Sequence, residues 1–255
     1  MRLRIMVEVP RLPILYRHRF MSFIKRIVET ADPEYFEKYF SVERRPAPYS
    51  FAVLFPSTRS ARRESFQVSP GSRLFVRDMV FYMRGHVRWV ITSPFADFMG
   101  LLVKGLMRYK QHPFNDTIRM EVVRIDIVEG PRVDSHEVVL RSLSPVLVED
   151  VRHRPLLPGD RGFDRELNTI MNGVLNGLRG EGLKRPLTLI PEGIRKSVVK
   201  HKLEGFYRGS GKPYMYFTGF SGIFRLRGHP EDLGFIIESG LGLRRGQGFG
   251  TLELA

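Results

Sequence analysis

Apolar residues alternate with polar ones from residue 2 to residue 9, which predicts a half-buried strand. The apolar face of this strand consists of Leu3, Ile5, Val7 and Val9. From Tyr16 onward the apolar spacing becomes three to four residues, which predicts an amphipathic helix. Its buried side consists of Phe20, Phe23, Ile24, Ile27 and Val28. Asp32 and Pro33 then predict the cap and the first residue of a second, short helix.

Three strand-like runs follow at residues 49–55, 73–76 and 79–92, and a basic stretch, 59–63, separates the first two. Ser93 and Pro94 predict a helix that runs to about Arg108, and alternation returns at residues 117–128. The order strand, helix, strand, strand, helix, strand is that of a ferredoxin-like unit. Because its strands form an open sheet, one face is free to present a groove.

Gly130, Pro131 and Arg132 mark the predicted boundary between an N-terminal domain, residues 1–130, and a C-terminal domain, residues 131–255. The second domain is predicted to contain strands at 138–148, 187–190, 197–207, 214–226 and 249–254, helices at 163–178 and 230–238, and a loop at 152–162. The last helix begins at Pro230 and runs into Gly240, a natural C-cap. The sequence therefore predicts an α+β protein with two tandem ferredoxin-like (RRM-like) domains.

The chain is strongly basic, with 41 lysines and arginines against 27 aspartates and glutamates, a formal net charge of +14 and a pI near 10.3. This excess predicts an anionic partner, nucleic acid first, while an arginine-biased genome is the alternative source of the charge. The absence of cysteine excludes disulfides, zinc ribbons and thiol nucleophiles. No signal-peptide pattern is present and no apolar run approaches the ~18 residues of a membrane span, so a cytoplasmic protein without membrane contact is expected.

Five glycines and two arginines stand together near the C-terminus: Gly240, Gly242, Gly246, Gly248 and Gly250, with Arg244 and Arg245 among them. Glycine permits positive φ and a close approach of the backbone to a polyanion, and arginine supplies planar, bidentate charge. The pattern predicts a phosphate-cradling loop with exposed amide donors. A glycine-rich hairpin with two solvated arginines is the alternative, and the Walker A and dinucleotide-binding patterns do not match.

The run from Gly219 to Gly250 resembles the end of the CRISPR repeat-processing endoribonucleases of the repeat-associated mysterious protein (RAMP) superfamily. The resemblance rests mainly on the GxGxxxxxGFG pattern from Gly240 to Gly250, and more weakly on residues 12–27 and Leu143-Ser-Pro145. It implies a double ferredoxin-like fold. It also implies a protein that binds the repeat of a precursor CRISPR RNA and cuts it once, without a metal ion or another cofactor.

Metal-free RNA cleavage needs a base for a 2′-hydroxyl, an acid for the 5′-oxygen and a cation for the phosphorane charge. His18 is the first candidate base, because the resemblance places a tyrosine and a histidine that face the scissile phosphate where this chain has Tyr16 and His18. Lys25 is close enough in sequence to supply the charge. The alternative is that His18 is a helix-capping or surface histidine.

The resemblance places the family's more frequent catalytic histidine near the end of the second short helix, where residues 37–45 contain none. Lys38, Arg44 and Arg45 are candidates there for positioning the RNA, and an ordinary solvated helix end is the alternative. His201, which has basic neighbours, is a weaker candidate for a phosphate contact. No His-x-Glu, His-Glu-x-x-His or paired-carboxylate pattern predicts a metal site.

RNA is expected in the cleft between the two halves, with Arg225, Arg227, Arg244 and Arg245 on one wall. Two functions follow from this. The first is an endoribonuclease that leaves a 2′,3′-cyclic phosphate and a 5′-hydroxyl, and the second is a catalytically weak protein that delivers or protects guide RNA. A RAMP subunit of an effector complex is a third alternative. The expected partner is CRISPR repeat RNA, with a CRISPR effector complex and a homodimer as further candidates.

Overall fold

The first half of the chain forms a large sheet backed by helices and a smaller sheet beside it. Its elements are β1 (Arg2–Glu8), β2 (Arg11–Pro13), α1 (Arg17–Ala31), α2 (Pro33–Phe40), β3 (Ser50–Leu54), β4 (Arg59–Gln67), β5 (Phe75–Met83), β6 (Val87–Thr92), α3 (Ala96–Arg108), β7 (Gln111–Pro113) and β8 (Arg119–Val128). The computed structural model describes residues 1–40, 45–202 and 211–255, except for the Tyr39 side chain. The large sheet has the strand order β3-β6-β1-β8-β7, with antiparallel pairing.

One face of the large sheet carries the main core of this half. Leu3, Ile5 and Val7 of β1, which the alternation predicted to be buried, have no exposed surface. They belong to one apolar cluster with the helix residues Phe20, Phe23, Ile24, Ile27, Phe98, Met99 and Leu102. The central strands β3, β6, β1 and β8, with α1 and α3, follow the ferredoxin-like order.

The smaller sheet, with the order β2-β5-β4, has its own core of Leu15, Phe66, Val68, Val76 and Val80. In the sequence, its strands β4 and β5 are inserted between β3 and β6 of the ferredoxin-like unit. The sequence-based prediction of residues 59–63 as a basic separator is wrong, because they begin strand β4. The first five residues of this edge strand are all exposed, so no apolar alternation marks it. The predicted run 79–92 is also two strands, which a turn containing Gly85 at φ 129° divides.

The second half repeats the same order of elements. They are β9 (Glu137–Ser142), α4 (Phe163–Arg179), β10 (Thr188–His201), β11 (Met215–Arg227), α5 (Pro230–Ser239) and β12 (Leu252–Leu254), and the sheet order is β10-β11-β9-β12. Leu140, Leu167, Met171, Phe220, Phe224 and Ile236 lie at the centre of its core. The α+β class and the tandem ferredoxin-like architecture are therefore confirmed. None of the helices in the described ranges combines the length and the apolarity that crossing a bilayer requires.

The strand ends of the second half differ from the prediction. The strand predicted at 138–148 ends at Ser142, because Val146 turns away to form an isolated bridge with Phe220. The runs predicted at 187–190 and 197–207 are a single strand, β10, as far as His201, and residues 203–207 lie outside the described ranges. The closing strand contains only Leu252–Leu254 of the predicted 249–254.

Two glycines of α3 provide a matched test of helix packing. Gly105 lies where α3 crosses α1, and a Cβ there would stand 2.2 Å from the carbonyl oxygen of Ile27, whereas a Cβ at the exposed Gly100 would meet nothing within 4 Å. We expect Gly105→Ala to lower the free energy of unfolding by about 2 kcal/mol through overpacking. Gly100→Ala should raise it by about 0.5–1 kcal/mol through helix propensity. Urea unfolding measures both changes, and changes of the same sign would contradict the close approach.

Candidate functional site

The glycine-rich loop, residues 240–250, lies between the two halves and contacts both. From the first half, Nε of Arg17 donates to the carbonyl oxygen of Gly248 and the Tyr49 hydroxyl to that of Gly246, each at 3.4 Å. From the second half, the Pro145 carbonyl oxygen accepts from the Gly250 amide at 2.9 Å. The loop therefore joins the start of α1 and β3 to the segment that follows β9.

The glycines of this loop make close packing possible. Gly240, Gly242, Gly248 and Gly250 have positive φ, as the sequence predicted. A Cβ at Gly242 would stand 2.4 Å from the Leu147 carbonyl oxygen, and one at Gly248 would stand 2.9 Å from the Phe51 ring. A Cβ at Gly246 would stand 2.5 Å from that of Ala47. The backbone thus approaches protein atoms closely at these positions.

The predicted cradle of exposed amides is wrong for the buried part of the loop. The amides of Gly242, Gly248 and Gly250 donate to the Met171 sulfur, the Arg245 carbonyl and the Pro145 carbonyl, respectively. All three glycines are buried. Since these three amides already donate to protein acceptors, they are not available to bind phosphate. The buried part of the loop instead packs the two halves together, and we call it the joint.

The two arginines of the loop point in different directions. Arg245 is only 4 % exposed, and its Nη1 donates to the Ser239 carbonyl oxygen at 2.8 Å. Burial lowers the pKa of its guanidinium to about 10. Arg244 is half-buried and lies over the Phe217 ring at 4.3 Å, with Nη1 donating to Oε1 of Gln247 at 3.3 Å. In this conformation Arg244 is therefore the arginine of the pair that an anion can reach.

Two depressions flank α1 and share Met21 and Lys25 in their linings. The first, of about 350 Å³, lies against the loop and includes Arg45 and Arg244. The second, of about 530 Å³, includes His18 and Lys202. We call the two together the α1 groove. No aspartate or glutamate is among the described residues that line it. A groove lined by cations alone among its charged groups concentrates anions.

His18 lines the second depression with a half-buried ring. Its Nε2 lies 2.8 Å from the Val68 carbonyl oxygen, and because a carbonyl can only accept, Nε2 carries the proton. Its Nδ1 is buried and has no hydrogen-bond partner among the described residues. Burial first, and then the charges of Lys202 and Arg19, lower the pKa of His18 to about 3. His18 is therefore neutral near pH 7, with its free lone pair turned inward.

The other two predicted catalytic residues lie at different places on α1. Tyr16 occupies the N-cap position, is 8 % exposed and contacts Phe55 at 5.0 Å between ring centroids. The guanidinium of Arg17 covers its ring at 4.8 Å. Lys25 is half-buried between the two depressions. Lys25 follows His18 by seven residues and so shares its face of α1, whereas Tyr16, two residues before His18, belongs to the core and lines neither depression.

His201 belongs to the same region, although the sequence ranked it low. It is 1 % exposed, and its ring contacts those of Phe217 and Phe249 at 5.9 and 5.8 Å. Arg17 covers the Phe249 ring at 5.4 Å. Burial first, and then the charges of Arg17 and Arg244, lower the pKa of His201 to about 3. No local pattern could have shown this cluster, because Arg17 comes from the first half of the chain and His201, Phe217 and Phe249 come from distant positions in the second.

Arg225 and Arg227 lie elsewhere. Both donate hydrogen bonds to the Glu137 carboxylate, and Arg225 also donates to the Glu192 carboxylate. Arg225 is eight positions after Phe217 in β11, which is about 26 Å along a strand. Neither arginine lines the α1 groove. The structure therefore does not bring these two arginines together with Arg244, and the predicted common wall is wrong.

The basic residues near α2 divide in a similar way. Lys38 is exposed in the last turn of α2 and does not line the groove, whereas the exposed Arg45 lines its first depression. Arg44 lies outside the described residues. Within the described ranges, no group of three or more histidine, aspartate or glutamate side chains has an arrangement that would hold a metal ion.

The buried histidines predict a loss of stability in acid. Burial lowers the pKa of His112 and of His201 to about 3, against about 6.5 in the unfolded chain. Below pH 6.5 the unfolded chain binds protons that the folded chain does not. Stability is therefore full above about pH 6.5 and falls towards pH 3, by up to about 1.4 kcal/mol per pH unit for each histidine. In urea unfolding between about pH 7 and pH 5, His201→Gln should show a shallower pH slope than the parent chain, and equal slopes would contradict it.

Comparisons with known proteins agree with this architecture. Residues 128–254 match the family model of the C-terminal domain of the CRISPR associated protein Cas6. The product of a Cas6-related gene from Pyrococcus furiosus is similar over 100 % of this chain and 98 % of its own, with a TM-score of 0.78 and 17 % identity. A RAMP protein that binds different RNA substrates is similar over 100 % of this chain and 99 % of its own, with a TM-score of 0.75 and 20 % identity.

A Cas6 product complex is similar over 100 % of this chain and 98 % of its own, with a TM-score of 0.61 and 16 % identity. At such identities the solved structures show a shared fold. A comparison with curated proteins finds no match. Two ferredoxin-like halves joined through a glycine-rich loop are the fold that this chain shares with these structures. Residues 128–254 are therefore a C-terminal domain of the Cas6 family of CRISPR-associated proteins.

Proposed function

We propose that this chain is a metal-independent endoribonuclease that binds CRISPR repeat RNA in the α1 groove and cleaves precursor CRISPR RNA at a single site. The observation that carries the proposal is the groove itself, in a chain with a Cas6-family C-terminal domain. Lys25, Arg45, Lys202 and Arg244 line it, and no described lining residue is acidic. Such a lining suits a sugar-phosphate backbone, and binding should weaken steeply with salt as counterions are released.

The proposed reaction is a transesterification within the RNA. The 2′-oxygen attacks the neighbouring phosphorus, the bond from phosphorus to the 5′-oxygen breaks, and the products carry a 2′,3′-cyclic phosphate and a 5′-hydroxyl. Neutral His18 is in the protonation state of a base, and Nδ1 is the atom that would take the 2′-proton. Lys25 supplies positive charge for the phosphorane. Water supplies the proton to the 5′-oxygen, and the hydroxide that remains takes the proton from His18, which returns to its neutral form. Tyr16 packs under the Arg17 guanidinium at the start of α1.

We further propose that the two halves divide this work. Residues 1–130 supply the catalytic side of α1, while residues 131–255 supply Arg244 and the joint of Gly240, Gly242, Gly246, Gly248 and Gly250. Arg44 and Lys38 are close in sequence to Arg45 and are proposed to guide the RNA towards the first depression. Delivery of the guide RNA to a CRISPR effector complex, and a homodimer, belong to the same proposal.

The second candidate function is a repeat-RNA-binding protein with weak or no cleavage activity. The observation that favours it is the orientation of His18, whose unprotonated nitrogen is buried and has no partner among the described residues. If bound RNA does not reach that atom, the groove still binds phosphate through Arg244 and Lys25. The protein would then protect or deliver the guide.

Incubation of the protein with labelled repeat RNA in EDTA tests the proposal. We expect one cut, a 5′-hydroxyl on the downstream fragment, and no cleavage of an RNA with a 2′-deoxy substitution at the cut site, because the attacking oxygen is then missing. Binding of both RNAs without cleavage would favour the second candidate. Cleavage that requires added magnesium would overturn the metal-independent mechanism.

A further inference from the structure

Strands β4 and β5 expose a face that the proposed function does not use. Arg63, Ser65 and Gln67 of β4 pair with Met79, Arg77 and Phe75 of β5 in that order. Side chains alternate between the faces of a strand, and directly opposed residues share a face. These six residues, with Arg59, Ala61, Phe81 and Met83, therefore lie on one side of the small sheet, which we call the insert face.

The reverse side of the two strands carries their buried residues and both of their acids. Val76, Val80 and Phe66 fill the small core there. The Asp78 carboxylate forms an ion pair with Lys200, and the Glu64 carboxylate accepts from the Tyr82 hydroxyl at 2.6 Å. No acidic residue of β4 or β5 therefore lies on the insert face. Both acids of these strands lie on the reverse side, which also carries Arg62, while the charged residues of the insert face are arginines alone.

The insert face combines that positive charge with an exposed aromatic ring. Arg59, Arg63 and Arg77 are exposed, and Phe75 is 62 % exposed beside Arg77 on the same strand face. A single exposed apolar residue is ordinary at a protein surface, and the informative feature is this ring together with three arginines on one face. Asp116, which borders Phe75 in a neighbouring pocket, accepts from the Gln67 side chain and the Gly71 amide, and so its carboxylate is already engaged.

A row of aromatic rings runs from the insert face to the start of α1. Phe81 contacts Phe55 at 5.2 Å between ring centroids, and Phe55 contacts Tyr16 at 5.0 Å. Arg17 then covers Tyr16 at 4.8 Å and Phe249 at 5.4 Å. These contacts tie the small sheet to the start of α1, beside the helix that carries the groove residues His18 and Lys25.

We propose that the insert face binds single-stranded RNA that flanks the segment held in the α1 groove, with its phosphates on Arg63 and Arg77 and one base stacked on Phe75. Sheet faces with exposed aromatic rings bind single strands because every base has a face that stacks, while the bases of a duplex already stack on each other. Planar guanidinium groups suit phosphate. The proposal rests on the proposed function for the groove, and it adds a second site with a different preference.

The probe is a fluorescein-labelled oligouridylate of roughly ten residues, and its anisotropy is measured with the full chain. We expect Phe75→Ala to weaken binding about tenfold. We expect Arg63→Ala with Arg77→Ala to weaken it similarly, and to reduce the slope of log affinity against log salt by about 1.4, or about 0.7 for each lost phosphate contact.

Matched controls use exposed residues away from both surfaces. Met107→Ala removes a side chain that is 65 % exposed, and Arg152→Ala with Arg161→Ala removes the same charge as the double variant. Neither control should change the affinity. An RNA duplex of the same length should bind the parent chain and Phe75→Ala equally. Loss of duplex binding by Phe75→Ala would overturn the stacking role.

Photocrosslinking with 5-iodouridine in the same oligomer locates the contact. We expect the modified tryptic peptide to be Leu74–Arg77, which contains Phe75. Crosslinks confined to the α1 groove would overturn the proposal, and so would wild-type affinity in both insert-face variants. Wild-type affinity is the result expected if the insert face instead binds an acidic protein. If instead repeat RNA is not cleaved but the insert face binds oligouridylate, then the proposed function fails and this one stands.

Discussion

Gly250→Ala is expected to lower the free energy of unfolding by about 2–5 kcal/mol. Gly250 has φ 69°, where a side chain adds about 1–2 kcal/mol of strain. A Cβ there would stand 2.0 Å from the Leu241 carbonyl oxygen, so the backbone must shift, at a further cost of about 1–3 kcal/mol. The shift also disturbs the bond from the Leu241 amide to the Gly250 carbonyl, 2.8 Å long. Because folded domains are stable by only about 5–15 kcal/mol, this is a large fraction.

Gly180→Ala is the matched control for this prediction. Gly180 ends α4 with φ 78°, and a Cβ there would meet nothing within 4 Å. This substitution therefore adds the conformational strain of about 1–2 kcal/mol without the collision. Thermal unfolding should show a fall of roughly 10 °C for Gly250→Ala and about 3 °C for Gly180→Ala. Equal falls would mean that the loop is not a packed joint between the two halves.

Local signals predicted the parts of the fold that local chemistry decides. The start of α5 at Pro230 and its end at Gly240 agree with the structure, because proline suits the first turn of a helix and glycine suits its cap. The helix predicted at 163–178 is α4, Phe163–Arg179, since its apolar spacing is regular. In contrast, β4 has exposed arginines on both faces, and so it carried no alternation that could reveal a strand.

The candidate site was less predictable because its contacts are distant in sequence. The glycines correctly indicated positive φ, but a glycine permits close approach to a protein atom as readily as to a phosphate. Only the fold shows that Gly248 lies against Phe51 and Arg17. The direction of Arg245 depends likewise on the Ser239 carbonyl, which becomes an acceptor at the end of α5. His201 joined the site through rings from three separate segments.

The placement of His18 shows how the fold limits an inference from residue type. Histidine is a frequent acid-base residue because its ordinary pKa lies near neutrality. Here burial moves that pKa to about 3, and a backbone carbonyl occupies Nε2. His18 is therefore not protonated near pH 7 and cannot donate a proton there, whereas its neutral imidazole can still accept one. Since catalytic hydrogen bonds often form only with substrate bound, the buried position of Nδ1 in the free protein is compatible with that role.

His18→Gln and His18→Ala are expected to slow single-turnover cleavage of repeat RNA at saturating protein by about 10²-fold, the smaller end of what a general base contributes. Glutamine can still donate an amide hydrogen to the Val68 carbonyl oxygen, as Nε2 of His18 does, but it cannot take a proton. Alanine loses both abilities. The RNA dissociation constant should stay within about threefold for both variants, because the groove cations Lys25 and Arg244 remain.

The comparison of the two variants separates catalysis from structure. If His18 acts as the base, glutamine restores the thermal stability that alanine loses and does not restore the cleavage rate. If His18 only holds the segment at Val68, glutamine restores both, and the catalytic role is refuted. His153→Gln, at a side chain that is 88 % exposed, controls for the loss of a histidine as such and should cleave at the parent rate. If the parent chain and the three variants all bind RNA equally and none cleaves it, the protein is the guide-binding protein of the second candidate function.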